Sequence, residues 1–71
     1  MEHVEVKSSN VASVAYDSET RKMEVKFLSG GHYCYEDVPP ETHAALMSAD
    51  SIGSHLAKHV RPNHSCVKVT E

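Results

Sequence analysis

The sequence contains no tryptophan, one phenylalanine and three tyrosines among its 71 residues. With so few aromatic side chains, a hydrophobic core must consist mainly of Val, Leu, Ile, Met and Ala. A chain this short buries only about 60% of the surface that its unfolded form exposes. Scaffolds of this size rarely exceed roughly 3–5 kcal/mol of stability without a disulfide, a metal or a partner. We therefore expect one domain of modest stability.

Cysteines and long apolar runs are also scarce. Cys34 and Cys66 lie far apart in sequence, and no charged-then-apolar leader precedes them at the N-terminus. This arrangement predicts reduced thiols in a cytoplasmic protein. No apolar run approaches the roughly 18 residues that a membrane helix requires, so we expect no membrane association.

Positive charge is in the minority. Seven Lys and Arg residues stand against ten Asp and Glu residues, for a net charge of −3. Residues 1–50 hold four basic and nine acidic side chains (4 − 9 = −5), and residues 51–71 hold three basic and one acidic (3 − 1 = +2). Domains that bind nucleic acid through phosphate contacts usually have a strong basic excess. The composition therefore favours a protein partner.

The clearest structural pattern is an alternation of polar and apolar residues that predicts a β-hairpin. From Lys22 to Leu28, the residues Met23, Val25 and Phe27 share one face, as in a sheet that is packed on one side and exposed on the other. The sequence then turns at a glycine pair and returns over residues 32–36.

Loop length decides which side chains of the return strand are buried. A three-residue loop over residues 29–31, with a glycine in the left-handed region, would pair Phe27 with Tyr33 and Val25 with Tyr35. A two-residue turn over residues 30–31 would instead place Cys34 opposite Phe27. We favour the first register because it gathers the large side chains on the buried side, leaving residues 32 and 34 facing outward.

The remaining elements follow from turn residues, caps and periodicity. Residues 11–16 predict a first strand, residues 40–49 a helix that begins with proline, and residues 66–69 a short strand. A second helix is predicted from Ile52, Leu56 and Val60, with Asp50 or Ser51 as its cap. We expect an α+β fold, a three-stranded antiparallel meander with two short helices packed on one face.

Six short segments, taken in order, resemble the KTSC domain family over roughly residues 8–62. They are Ser8-Ser9-Asn10-Val11, Ala15-Tyr16-Asp17, Met23-Glu24-Val25-Lys26-Phe27, Gly31-His32-Tyr33-Cys34-Tyr35, Val38-Pro39 and Ser51-Ile52-Gly53-Ser54. The family is named for its presence at the C-terminus of some lysyl-tRNA synthetases, and it also occurs as stand-alone bacterial and phage proteins. The resemblance implies a domain over residues 10–62. Residues 1–9 would be a tail or edge strand, and residues 63–71 a tail or short strand.

The tyrosine pair of the return strand has two interpretations. Tyr33 and Tyr35 could stack on bases, as sheet aromatics do in readers of single-stranded RNA. Alternatively, they are core residues with their hydroxyl groups at the rim. The predicted register favours the core, whereas the synthetase association of the resembled family implies an RNA or tRNA role.

A metal site is a weaker hypothesis. His55 and His59 stand at i and i+4 on a predicted helix, and Cys34 and Cys66, with His64, could complete a zinc ligand set. The spacing matches neither the HExxH pattern nor a CxxC pair. Histidines on the surface of a helix are the preferred interpretation, and we expect no cofactor.

The basic residues of the C-terminal third form the candidate partner-binding surface: Lys58, His59, Arg61, His64 and Lys68. They could contact phosphate or an acidic protein surface, or simply be a solvated helix end where cations favour the helix dipole. No serine lies in a GxSxG setting, and the glycine pair lacks the lysine of a phosphate loop.

We therefore predict a non-enzymatic binding module. A regulatory protein–protein interaction, acting on bacterial transcription or translation machinery, is the first hypothesis. RNA or tRNA binding is the second, and zinc binding a distant third.

Overall fold

Two antiparallel strands joined by a tight turn form the centre of the structure, a computed structural model that describes residues 2–69. Strand β3 (Lys22–Phe27) pairs with β4 (His32–Tyr35), so that Val25 lies opposite Tyr33 and Met23 opposite Tyr35. In the turn, the Gly30 N–H donates to the Phe27 carbonyl at 3.0 Å, and the Phe27 N–H donates to the Gly31 carbonyl at 2.7 Å. Gly30 has φ = 103°, a left-handed conformation that glycine adopts without a steric penalty.

The hairpin register differs by two residues from the predicted one. The loop is indeed three residues long, but it comprises residues 28–30, because Gly30 and not Gly31 takes the left-handed position. The expected pairs Phe27–Tyr33 and Val25–Tyr35 were therefore wrong. A shift of two residues leaves every side chain on its original face. The prediction that both tyrosines share the face of Val25 is consequently confirmed.

The sheet has five antiparallel strands, not the three of the predicted meander. In chain order, and also in spatial order, they are β1 (Val4–Glu5), β2 (Val11–Asp17), β3, β4 and β5 (Cys66–Lys68). Strand β5 lies within residues 66–69, where a short strand was predicted, and β1 lies within residues 1–9, where an edge strand was one of the two alternatives. Thr70 and Glu71, at the end of the predicted C-terminal segment, lie outside the described residues.

A β-bulge in β2 places more apolar surface on the helical side of the sheet. Val11 pairs with Phe27 but Ser13 pairs with Lys26, which leaves Ala12 as the extra residue. As a result Val11 and Val14, although three positions apart, both join the core.

Two short helices cover one face of the sheet. Helix α1 (Pro40–Met47) begins with proline, and helix α2 (Ile52–His55) is capped by the Ser51 hydroxyl, which accepts the Ser54 N–H at 3.3 Å. Helix α2 continues as a π-helical segment, Leu56–Val60, closed by an Arg61 N–H donated to the Leu56 carbonyl. No helix among residues 2–69 has the length and apolar character needed to cross a bilayer.

The core lies between the sheet and these helices. Its helical part includes the predicted stripe Ile52, Leu56 and Val60, which is confirmed as buried. The whole buried cluster consists of Val11, Val14, Met23, Val25, Tyr35, Val38, Leu46, Ile52, Leu56 and Val60.

Tyr16 fastens the segment before α1 to the sheet. Its hydroxyl donates to the Val38 carbonyl at 2.6 Å, and its ring stacks on His43 with centroids 4.4 Å apart and planes 8° apart. Burial lowers the pKa of His43, because the charged ring loses hydration against the tyrosine. The neutral form of His43 is therefore the one that the fold favours.

Replacing Leu46 by alanine tests the core. Leu46 is 0% exposed, so Leu46→Ala should lower the free energy of unfolding by about 2–5 kcal/mol through lost burial and an unfilled cavity. Leu28→Ala makes the same chemical change at a residue that is 61% exposed, and it should cost less than about 0.5 kcal/mol. Urea denaturation followed by circular dichroism measures both values, and similar costs at the two positions would contradict this packing.

The His43–Tyr16 stack predicts that titration of one histidine lowers the stability of the protein at mildly acidic pH. Because the folded pKa of His43 lies below its ordinary value of 6.5, its contribution is complete above that pH and is lost as the pH falls through it toward the folded pKa. His43→Phe keeps an aromatic ring on Tyr16 but cannot titrate. Unfolding measured from neutral to mildly acidic pH should show a steeper loss of stability in the unsubstituted protein than in this variant. Parallel profiles would rule out the contribution.

Candidate functional site

A groove runs between the hairpin turn and the π-helical segment, on the helical side of the sheet. Its larger part has a volume of about 510 Å³ and lies between Leu28 on the hairpin and Ala57 and Arg61 on the helical side. A second part of about 290 Å³ shares Phe27, Ser29 and Arg61 with the first and extends to Tyr33. We call the two parts together the hairpin groove.

The turn of the hairpin shapes the apolar wall of the groove. Phe27 and Tyr33 meet edge to face, with ring centroids 5.8 Å apart. Between them Gly31 leaves room for the tyrosine ring, since a Cβ atom there would lie 3.0 Å from Cε2 of Tyr33. Leu28, next to this pair, is the most exposed large apolar side chain among the described residues. The hairpin thus presents an apolar surface of two half-buried rings and one open leucine.

The opposite wall contacts the loop before β2. A Cβ atom at Gly53 on α2 would lie 3.5 Å from both Ser8 Oγ and Asn10 Nδ2, an ordinary van der Waals distance, so α2 packs directly on this loop. The Leu28 N–H donates to the Asn10 carbonyl at 2.8 Å, which joins the same loop to the hairpin turn. The segment at residues 8–10 therefore connects both walls.

Positive charge lies at one side of the groove. The five residues that the sequence indicated as a partner-binding surface are Lys58, His59, Arg61, His64 and Lys68. Arg61 lines both parts of the groove, and Lys68 lies opposite Tyr33 on β5. Lys58 and His59 are exposed on the π-helical segment that leads to Arg61.

His64 is in a different setting. It lines a separate hollow of about 260 Å³ together with the acidic residues Glu36 and Asp37. The structure therefore divides the predicted basic surface, because the chain turns back after Pro62 to form β5. Arg61 is the member of the set that the groove directly includes.

The two tyrosines have different environments. Both line the groove, but Tyr35 is 2% exposed and belongs to the core, whereas Tyr33 is half-buried. Burial raises the pKa of Tyr35, and the nearby Arg61 charge opposes that shift. A base-stacking platform made of both rings is excluded by the burial of Tyr35, which leaves the core interpretation for that residue.

The predicted zinc ligands are not brought together. The rings of His55 and His59 are neighbours, with centroids 4.7 Å apart. However, Cys34 pairs with Val67 and Tyr35 pairs with Cys66, so the two cysteines point to opposite faces of the sheet. The metal hypothesis built on these four residues was therefore wrong.

Another set of metal-binding side chains converges on the outer face of the sheet, away from the helices. Within residues 2–69, the group of three or more suitable ligands close enough to hold an ion is His3, Glu24 and His32. No local pattern in the sequence indicates this group, because His3 and Glu24 are 21 residues apart and Glu24 and His32 are 8 apart. Alternation did indicate that Glu24 and His32 face outward, but only the pairing of β1 with β2 brings His3 to them.

The family model described as the KTSC domain matches residues 7–64. An uncharacterized protein from Stutzerimonas stutzeri is 45% identical over 64 residues, covering 90% of each chain. A protein from Tsukamurella paurometabola is 32% identical over 62 residues, covering 87% of this chain and 92% of that protein. The crystal structure of a KTSC domain protein from Yersinia pestis superimposes with a TM-score of 0.93 at 32% identity, covering 97% of both chains.

The placement of the two cysteines predicts unequal reactivity. Cys66 is exposed, whereas Cys34 is half-buried. Burial, followed by the negative charge of Glu24, raises the pKa of Cys34 and reduces its reactive thiolate fraction. Under limiting iodoacetamide near pH 8, mass spectrometry should find Cys66 alkylated severalfold faster than Cys34. Cys66→Ser should leave only the slowly alkylated thiol of Cys34, and equal rates for the two cysteines would contradict their different burial.

Proposed function

The chain belongs to the KTSC domain family, and we propose that it is a non-catalytic module whose hairpin groove binds an acidic, apolar-anchored segment of a protein partner. The observation that carries this proposal is the combination of an open apolar wall, Leu28 with Phe27 and Tyr33, and the cation of Arg61 facing the same groove.

Charge complementarity supports an acidic partner segment. The described residues that line the two parts of the groove include Arg61 but no carboxylate, although the whole chain has a net charge of −3. Lys58 and Lys68 add exposed positive charge on neighbouring elements. An acidic segment would be attracted to this side of the molecule and repelled by the rest of it.

The apolar wall supports an anchoring side chain in that segment. Leu28 is largely exposed, and covering apolar surface gains roughly 25 cal/mol per Å². Interfaces commonly concentrate their binding energy in a few such aromatic and aliphatic contacts surrounded by charged groups. We therefore expect a leucine- or phenylalanine-sized side chain of the partner to contact Leu28 and the Phe27 ring.

The composition of the groove also supports a non-catalytic role. Its described lining contains the hydroxyl groups of Ser9 and Ser29 and the thiol of Cys66, but no histidine or carboxylate that could activate them. The guanidinium of Arg61 offers hydrogen-bond donors but no acceptor, so it supplies no general base. We further propose that the partner protein belongs to the transcription or translation machinery of a bacterial cell and that the module regulates it.

RNA is the second candidate ligand, favoured by a specific observation. Tyr33 and Phe27 are partly exposed beside Arg61, and aromatic rings next to arginine can stack on unpaired bases. The burial of Tyr35 removes the second tyrosine from such a surface. We rank this candidate lower for that reason and because the chain is acidic.

A peptide selection tests the groove directly. Random peptides displayed on phage, selected on the immobilised protein, should become enriched in Asp or Glu next to a large apolar residue. Arg61→Glu should weaken binding of the selected peptides by about tenfold or more, equivalent to ~1.4 kcal/mol. Lys7→Glu makes the same change in net charge at an exposed residue outside the groove lining, and it should leave affinity nearly unchanged. Fluorescence anisotropy measures each affinity.

The same variants separate the two ligand classes. A fluorescein-labelled single-stranded RNA should bind weakly, with no difference between the unsubstituted protein and Arg61→Glu. Tight RNA binding that falls steeply between low and moderate salt, and that Arg61→Glu abolishes, would instead support the RNA candidate. Equal peptide binding by Arg61→Glu and Lys7→Glu would overturn the groove as the binding site.

A further inference from the structure

On the outer face of the sheet, we propose that His3, Glu24 and His32 form a binding site for a divalent transition-metal ion, with Zn²⁺ as the expected occupant. The imidazole Nε2 atom of His3 lies 3.2 Å from Glu24 Oε1, and that of His32 lies 2.8 Å from the same oxygen. One ligand atom from each residue lies within 4.8 Å of the other two. The side chains come from the N-terminal segment, β3 and β4, so three separate parts of the sheet meet at this point.

These distances suit a zinc coordination shell. Zinc binds histidine nitrogen at about 2.0–2.1 Å and carboxylate oxygen at about 2.0–2.2 Å, so adjacent ligands of a tetrahedral ion are about 3.3 Å apart. The His3–Glu24 separation of 3.2 Å lies close to that value, whereas the His32–Glu24 separation of 2.8 Å would have to lengthen by about half an ångström. An ion could replace the hydrogen bonds to Glu24 with small rotations of the side chains. Two imidazoles and one carboxylate are also a ligand set that zinc uses in proteins.

A neighbouring hydroxyl group supports the orientation of His3. The Nδ1 atom of His3 lies 3.0 Å from Ser13 Oγ, and Ser13 is 7% exposed beneath the ring. When Nε2 binds a metal, Nδ1 carries the proton. The Nδ1–H group can then donate a hydrogen bond to the serine oxygen, which fixes the orientation of the ring. The His32 ring meets His3 edge-on, with centroids 5.4 Å apart. Ser13 is therefore a positioning residue for the site.

The carboxylate of Glu24 lies between the two imidazoles, since one of its oxygens contacts Nε2 of both His3 and His32. Three protein ligands would leave one tetrahedral position for water.

Metal binding at this position would stabilise the edge of the sheet. Strand β1 pairs with β2 over only Val4 and Glu5, and both of these side chains are exposed. An ion held by His3, Glu24 and His32 would link the N-terminal segment to β3 and β4 across β2. Small domains commonly gain stability from such a link. This inference is independent of the proposed function, because the hairpin groove lies on the other side of the sheet.

Calorimetric titration with ZnCl₂ tests the site on the full chain after treatment with a chelator. The unsubstituted protein should bind one ion at this site, and its Tm should rise with zinc concentration. His3→Gln and His32→Gln should each weaken zinc binding by well over about tenfold and abolish the rise in Tm. Ser13→Ala should weaken binding by a smaller factor, about tenfold, because only the support of one ring is lost.

His59→Gln is the matched control. It removes a histidine from the i, i+4 pair with His55, so zinc affinity and the Tm shift should be unchanged if the ion binds at His3. The chemical shifts of the His3 and His32 rings in NMR spectra should change on zinc addition, whereas those of His55 should not. The inference is overturned if zinc fails to bind, if His3→Gln binds it as tightly as the unsubstituted protein, or if His59→Gln abolishes binding.

The folded state of the variants can be checked separately. His3 lies next to a two-residue edge strand. His3→Gln should therefore retain the circular dichroism spectrum of the unsubstituted protein. Binding of the selected acidic peptides should be the same in His3→Gln and in the unsubstituted protein. The two proposals are therefore tested separately: absence of zinc binding would leave the groove proposal standing, and absence of peptide binding would leave the zinc site standing.

Discussion

The pairing of β3 with β4 around Gly30 is the constraint on which the rest of the structure depends. The left-handed glycine closes the turn so that Phe27 pairs with Gly31, and strict alternation then assigns every other residue of the hairpin to a face. Met23 and Tyr35 consequently enter the core with the helices. Residues 24 and 32 point to the opposite face. A slip of one residue would exchange these two sets and place a carboxylate in the core.

The hairpin thereby separates two surfaces of different chemistry. On the helical side, the ring of Tyr33 extends over Gly31 toward Phe27, and the turn places Leu28 beside Arg61 across an open groove. That surface combines apolar contact with positive charge. On the other side, imidazole and carboxylate groups converge with ligand-like spacing. The two proposals concern opposite faces of the same five-stranded sheet, so a partner in the groove would not cover the metal ligands.

A small core makes both surfaces depend on short edge elements. The buried cluster contains one tyrosine and otherwise aliphatic or methionine side chains, which gives a chain of this size little excess stability. The Tyr16 hydroxyl fastens Val38 to the sheet, and the Ser51 hydroxyl caps the helix that leads to Arg61. The second of these hydrogen bonds begins an element that lines the groove through Gly53, Leu56 and Ala57. Strand β1, which brings His3 to Glu24, has only two paired residues.

The sequence by itself determined the α+β class, the hairpin, the buried faces of Val25 and Tyr35, and the apolar stripe of the second helix, because alternation and four-residue spacing are local properties of the chain. The exact hairpin partners and the pairing of the two edge strands with the sheet could not be obtained in this way, since a choice between adjacent glycines leaves almost no local pattern and strand order is not a local property of the chain. The site residues were recognised only in part: Arg61 and Tyr33 were named, but not the open Leu28 beside them. Tertiary structure alone decided that Cys34 and Cys66 face apart and that His3 reaches His32, because strand order and register bring together residues that are distant in sequence.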